Sequence, residues 1–135
     1  MSERDPAAIL AMVPFAVALG IELLEASPET VRARLAWAPE RTTAADVMHG
    51  GAIMALADTC GGICAFLNLP EGARGTATIE SKTNFLRAIR GGAANARTRP
   101  LHRGRTLVVL ETDVSRDDGQ LAARVTQTQV YHFGR

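Results

Sequence analysis

The chain has 135 residues, 47% of them hydrophobic and 4% aromatic, with 15 basic against 14 acidic side chains and a formal net charge of +1. That length suits one domain, residues 1–135, with a substantial core, and the near-neutral charge excludes the strongly basic footprint of a nucleic-acid binder. Two cysteines, Cys60 and Cys64, are too few for a disulfide-stapled secreted fold, so a reducing, cytoplasmic setting is expected.

Asp5-Pro6 reads as an N-cap followed by proline at the first helical position. A short helix runs from there to about residue 13, with a further turn over 14–19 ended by Gly20. The apolar run 7–24 resembles a targeting segment in composition only. Glu3, Arg4 and Asp5 supply no positive n-region, Pro14 interrupts the run and Glu22 lies near its end, so neither a signal peptide nor a membrane anchor is expected. Residues 21–26 and 31–37 read as strands joined by the turn Ser27-Pro28-Glu29-Thr30. A loop over 38–48 leads to a long central helix at 50–67, followed by Pro70, Gly72 and Gly75. Residues 76–89 are rich in β-branched side chains and read as a long strand closed by Gly91-Gly92. Strands at 93–101, 107–115 and 121–133 follow, the last two joined by the hairpin signal Asp117-Asp118-Gly119. This order predicts an α+β fold with an antiparallel sheet packed on the central helix.

The chemistry concentrates at the start of that helix. His49-Gly50-Gly51 opens it, and Asp58 sits about two turns inside. A helix start offers unpaired N–H groups and a positive dipole end, and the acid offers a nucleophile or a base. Together they suit acyl transfer through a developing oxyanion. Gly50 and Asp58 are about 12 Å apart along a helix axis at 1.5 Å per residue. One helix therefore cannot bring both within about 3 Å of the same carbonyl. Two antiparallel copies related by a two-fold can, which predicts a homodimer with shared active sites. Amid Leu56, Ala57, Gly61 and Gly62, Asp58 is expected to be partly desolvated.

Gly61-Gly62 inside the helix costs roughly 2 kcal/mol relative to alanine. One reading is a narrow face of Gly51, Ala55, Asp58, Gly62 and Ala65, closely approached by another helix or a ligand. The other is a helix that breaks at Gly61; the helical stripe over 63–67 favours the first. His49 is either a general base or a brace for the loop before the helix, the preferred reading. Cys60 and Cys64 lack a partner at metal-ligand spacing and read as buried small residues, so no metal or other cofactor is expected. No Gly-x-Ser-x-Gly elbow and no phosphate-binding glycine loop occur. Thr78, Glu80, Lys82 and Asn84 alternate onto one side of their strand, so Thr78 and Asn84 are expected to share a polar wall.

His49-Gly50-Gly51 with Asp58, followed by Ile79-Glu80-Ser81-Lys82-Thr83-Asn84-Phe85-Leu86-Arg87, resembles the hotdog-fold acyl-CoA thioesterases of the phenylacetate-pathway (PaaI-like) type over roughly residues 20–131. The resemblance implies a curved antiparallel sheet wrapped around the central helix, in dimers that pair into tetramers. It also implies that Asp58 is the catalytic carboxylate, that the Gly50 N–H polarises the thioester carbonyl and that Thr78 orients water or the acid. Gly51 and Thr43 would lie beside the bound thioester. The sequence departs from the family at Thr43, where relatives commonly carry Asn or Gln, and at Asp46, where many carry glycine. Arg87, Arg90, His102, Arg103 and Arg105 are candidates for the phosphates of coenzyme A, because the arginine fork bonds phosphate bidentately.

The expected activity is hydrolysis of an acyl-CoA to free CoA and a carboxylic acid. Two rivals remain at this level: an acyl-CoA-sensing module without catalysis, which Thr43 favours, and an acyl-thioester hydratase or dehydratase, which would need a well-placed histidine. The acyl group is left open, as is an acyl-carrier-protein thioester.

Overall fold

A computed structural model describes residues 5–134. Glu3 and Arg4, used above against a targeting segment, lie outside the described residues. Two short helices come first, α1 (Pro6–Ala11) and α2 (Pro14–Leu19), then strands β1 (Glu22–Ala26) and β2 (Val31–Ala36). The long helix α3 (Gly50–Leu67) precedes β3 (Ala73–Phe85), β4 (Ala93–Arg103), β5 (Leu107–Ser115) and β6 (Leu121–Phe133). The strands form one antiparallel sheet in the order β1-β2-β4-β5-β6-β3, with α3 packed against it. This is the expected α+β hotdog architecture, with its sheet around one central helix.

The packing follows from two periodicities. Alternate residues of β5, among them Val108, Leu110 and Val114, are buried, and so are Ala123, Val125 and Tyr131 of β6. Against them α3 sets Ile53, Leu56, Ala57, Cys60, Ile63 and Cys64, a helical stripe. Over 18 residues α3 is apolar enough to cross a bilayer by composition, but the sheet takes that surface instead. Gly51, Met54 and Asp58 stay exposed, on the side of α3 that the sheet does not cover. At the far end Asn68 closes the helix, donating to Pro28 O and Cys64 O, while Tyr131 Oη donates to Asn68 O. The β5–β6 turn is closed by Gly119 at φ +84° and by Asp118 accepting from the Gln120 N–H.

Asp5 is the N-cap of α1 and Pro6 its first residue, as the sequence reads, though without a side-chain bond; the Asp5 carbonyl accepts from Ala8 and Ile9. Two local expectations are corrected. The strand expected at 76–89 begins and ends earlier, because the Leu86 and Arg87 N–H groups both turn onto Ala122 O. Ile89 belongs to the following loop, buried, with its carbonyl accepting from Met48 N. Finally, β3 carries a bulge between Thr78 and Glu80. Thr78 stands opposite Gln129 on the helix side, whereas Asn84 stands opposite Arg124 on the outer side. One extra residue, Ile79, reverses the alternation, so Thr78 and Asn84 do not share a wall.

Leu56 is fully buried at the helix–sheet contact. Leu56→Ala should destabilise the fold by about 2–5 kcal/mol, read from the urea midpoint at unchanged m-value.

Candidate active site

The loop before α3 is pinned at several points. Arg41 donates from its guanidinium to Leu19 O and Ala36 O, and its own carbonyl accepts from His49 N. Trp37 Nε1 donates to Asp46 O, and Thr43 N donates to Val47 O. Between them Ala45 and Asp46 adopt left-handed φ values of 63° and 59°. Asp46, standing where relatives often have glycine, thus holds a conformation that favours glycine but that aspartate tolerates.

This loop delivers His49 in extended conformation as the N-cap of α3. Its Nδ1 accepts from the Gly51 N–H at 2.7 Å, while Ala52 and Ile53 donate to His49 O. Of the four N–H groups at the helix start, only that of Gly50 is without an acceptor among the described residues. Accepting at Nδ1 leaves the ring proton on Nε2, so the histidine is a cap and has no lone pair free to act as a base. Both glycines lie close to a side chain, Gly50 to the exposed and yielding Phe85 ring and Gly51 to the capping His49. A Cβ on Gly50 would lie 3.1 Å from the tip of the Phe85 ring, and one on Gly51 would lie 2.8 Å from His49 Nδ1. Thr43, Phe85 and Arg87 join Gly50 in lining a recess of about 370 Å³.

Asp58 opens onto a different and larger cavity of about 590 Å³, lined by Met12, Phe15, Phe66, Thr78 and Gln129 among others. Its Oδ1 accepts from Thr78 Oγ1 at 2.9 Å and from Gln127 Nε2 at 3.1 Å. The threonine is itself held: Thr76 Oγ1 donates to Gln129 Oε1, and Gln129 Nε2 donates to Thr78 Oγ1. Every proton in the chain Thr76–Gln129–Thr78–Asp58 points the same way, towards the carboxylate. Among the described residues only Oδ1 has such partners, which leaves Oδ2 to the cavity. The carboxylate is exposed in the single chain rather than embedded among Leu56 and Ala57, which face the sheet; the expected desolvation is absent at this level.

Gly50 and Asp58 therefore belong to separate recesses of one chain, as the helix rise demands. The helix runs unbroken through Gly61-Gly62. The close approach is made at Gly61, by the Gln127 carboxamide of the chain's own sheet. Along the line Gly51–Ala55–Asp58–Gly62 the single chain leaves open space at Gly62, while Ala65 turns to the buried side.

The basic candidates divide. Arg87 stands beside Gly50 and donates to Leu121 O. Arg90 lines a third recess with Arg116 and Asp118. Arg103 donates to Pro28 O, which also accepts from Asn68, placing Arg103 at the C-terminal end of α3; Arg105 is in the turn that follows β4. Asn84 accepts from Lys82 Nζ on the outer face and takes no part in either recess. Gln127 and Gln129 escaped sequence reasoning. Their signal was two amides in the phase of β6 that otherwise carries Ala123, Val125 and Tyr131.

A sequence model of the thioesterase superfamily matches residues 45–123. A Mycobacterium tuberculosis protein to which an esterase activity is ascribed is 30% identical over 125 residues, covering 91% of this chain and 89% of the relative. Its solved structure superposes with a TM-score of 0.87 over 91% of this chain and 99% of that one, at 28% identity. A mutant thioesterase from Pseudomonas aeruginosa gives a TM-score of 0.92 at 24% identity, covering 98% and 97% of the two chains. The phenylacetic acid degradation protein PaaI of Thermus thermophilus, as a point mutant, gives 0.79 at 22% identity, covering 87% and 97%. At those identities the last two likenesses speak to the fold.

Two further side chains of α3 have nucleophile chemistry but the wrong surroundings. Cys60 and Cys64 are free and buried. Burial pushes both thiols up to about 12, against the opposing pull of Thr98 on Cys60 and of Arg103 on Cys64. Below that pH they stay protonated. Native protein at pH 8 should leave DTNB unreacted over minutes, whereas guanidinium-unfolded protein should titrate both thiols at once.

Proposed function

The chain belongs to the thioesterase superfamily, and from that premise and the geometry above we propose that it hydrolyses acyl-CoA in the cytoplasm, with active sites shared across a homodimer. As a thioester hydrolase it must supply an oxygen nucleophile and a clamp for the carbonyl oxygen. The single observation that carries the reading is Asp58: Oδ1 is tethered by two donors, and Oδ2 faces a mostly apolar cavity of acyl-group size. Asp58 either attacks the carbonyl carbon itself, giving a mixed anhydride that water then opens to the free acid, or takes a proton from the water that attacks. The Gly50 N–H and the helix dipole stabilise the oxyanion. Its collapse breaks the C–S bond, and CoA leaves as the thiol once the thiolate is protonated.

Two features support the shared site. The uncovered face of α3 carries Gly51, Met54, Ala55, Asp58 and Gly62, small enough for a second helix to come close. Strand β3 is a 13-residue sheet edge with Ile79 60% exposed, an open ladder of the kind that pairs with another copy. In an antiparallel arrangement Gly50 of one protomer meets the partner subunit's Asp58, which would also surround that carboxylate with protein. The end of α3 beside which Arg103 lies then extends beyond Gly50 of the other protomer, so that Arg103, with Arg105 in the turn after β4, shares with Arg87 the task of holding CoA phosphates. Dimers of dimers are expected, as in the family the sequence resembles. The free thiols at Cys60 and Cys64 suit a reducing compartment. His49, committed to capping Gly51, does not favour a hydratase.

Asp58→Ala should lower kcat for thiol release across a panel of acyl-CoAs by about 10²–10⁴-fold without dissociating the dimer; wild-type turnover would remove the carboxylate from the mechanism. Gly50→Pro deletes the N–H at a position where proline suits the helix. Refolding Asp58→Ala and Gly50→Pro protomers together should restore activity that neither has alone, because one site of the mixed dimer is complete. No recovery would overturn the shared site. Isotope from ¹⁸O-water entering the Asp58 peptide during a single turnover would identify the nucleophile, because water opening a mixed anhydride at the aspartyl carbonyl leaves its oxygen there.

A further inference from the structure

The contact between Gln127 and Gly61 carries two local costs. Gln127 is 1% exposed on the inner phase of β6, where its neighbours two residues either way are Val125 and a second glutamine. Its Oε1 is buried without a hydrogen-bond partner among the described residues. A buried acceptor left unpaired is a net loss. The facing helix position is glycine, the poorest helix former after proline, because any Cβ on Gly61 would occupy the space of the carboxamide. Valine or leucine at 127 with alanine at 61 would remove both penalties. The contact returns one thing: Nε2 donates to Asp58 Oδ1 at 3.1 Å.

The orientation of the amide is fixed by that bond. Turned over, Gln127 would set Oε1 against the carboxylate, acceptor against acceptor, so the nitrogen faces Asp58 and the oxygen is left against Gly61. The second donor, Thr78, arrives from β3 rather than β6 and reaches the same oxygen. Two strands thus grip one carboxylate oxygen, which fixes the rotation of the group about its Cβ–Cγ bond.

We infer that Gln127 is a positioning residue that aims Oδ2 of Asp58 at the substrate, and that position 61 is glycine to admit it. This rests on the reading of Asp58 as the catalytic carboxylate. It deepens that reading by assigning the two oxygens different tasks: Oδ1 is held and Oδ2 reacts. A carboxylate free to rotate would be in line only part of the time, and the loss would fall on kcat rather than on substrate binding.

The test is thiol release over full acyl-CoA saturation curves, with thermal midpoints measured beside it. Gln127→Met keeps the volume and removes the donor. It should lower kcat about ten- to a hundredfold, the scale of a hydrogen bond to a charged group, with KM within about twofold and the thermal midpoint unchanged or raised. In an Asp58→Asn background the same substitution should change the residual rate by less than about twofold, because coupled residues are non-additive. Gly61→Ala, which keeps both polar groups but displaces the carboxamide, should lower kcat similarly, and should cost nothing further in a Gln127→Ala chain. Wild-type kcat in Gln127→Met alongside an inactive Asp58→Asn overturns the role of Gln127 and leaves Asp58 in place. Wild-type activity in Asp58→Asn removes the carboxylate reading, and the role of Gln127 falls with it. Misfolding of Gln127→Met, or loss of kcat together with a clearly lower midpoint, makes the residue structural and overturns the positioning role.

Discussion

One helix carries both groups suited to the reaction and holds them apart. The rise of α3 sets Gly50 and Asp58 about 12 Å from each other, and the sheet packed along its apolar stripe keeps it straight through Gly61-Gly62. Neither group can approach the other by any local adjustment. The N–H recess and the carboxylate cavity are therefore distinct in a single chain, and in the proposed dimer the small residues left uncovered between them would face a second copy. The sheet's edge at β3 is open as well, and under the proposed shared site it is free to pair with a second copy.

Around each group the fold makes one hydrogen-bond acceptor or donor scarce. At the helix start, His49 consumes the Gly51 N–H and offers its own carbonyl to Ala52 and Ile53, so the Gly50 N–H alone remains. At Asp58, Thr78 and Gln127 both take Oδ1 and leave Oδ2. Each arrangement converts a group with several equivalent sites into one with a single direction. The side chains responsible are mostly not reactive ones: a capping histidine, two threonines and two buried glutamines.

The departures from the family pattern acquire different weights in the structure. Asp46 holds a left-handed backbone of the kind glycine favours, braced by Trp37 on its carbonyl. Thr43 still lines the Gly50 recess, but with a hydroxyl in place of a longer amide. The loop is held by its own backbone and tryptophan bonds.

Much of the architecture was written into local patterns. The 50–67 helix, the strand pairs and the Asp117-Asp118-Gly119 turn follow from apolar periodicity and turn chemistry, which act over a few residues and need no partner. The separation of Gly50 from Asp58 was equally legible, because helix rise is fixed by the backbone. What the sequence could not reveal depends on register and on contacts between distant segments. A single bulge at Ile79 reversed the faces of β3 and moved Asn84 away from Thr78. The burial of Ile89 came from a loop folding under Met48. The reason for Gly61 lay 66 positions along the chain, in Gln127. Strand phase is lost with one inserted residue and a cross-chain contact leaves no periodic trace, so the polar grip on Asp58 was decided by tertiary structure alone.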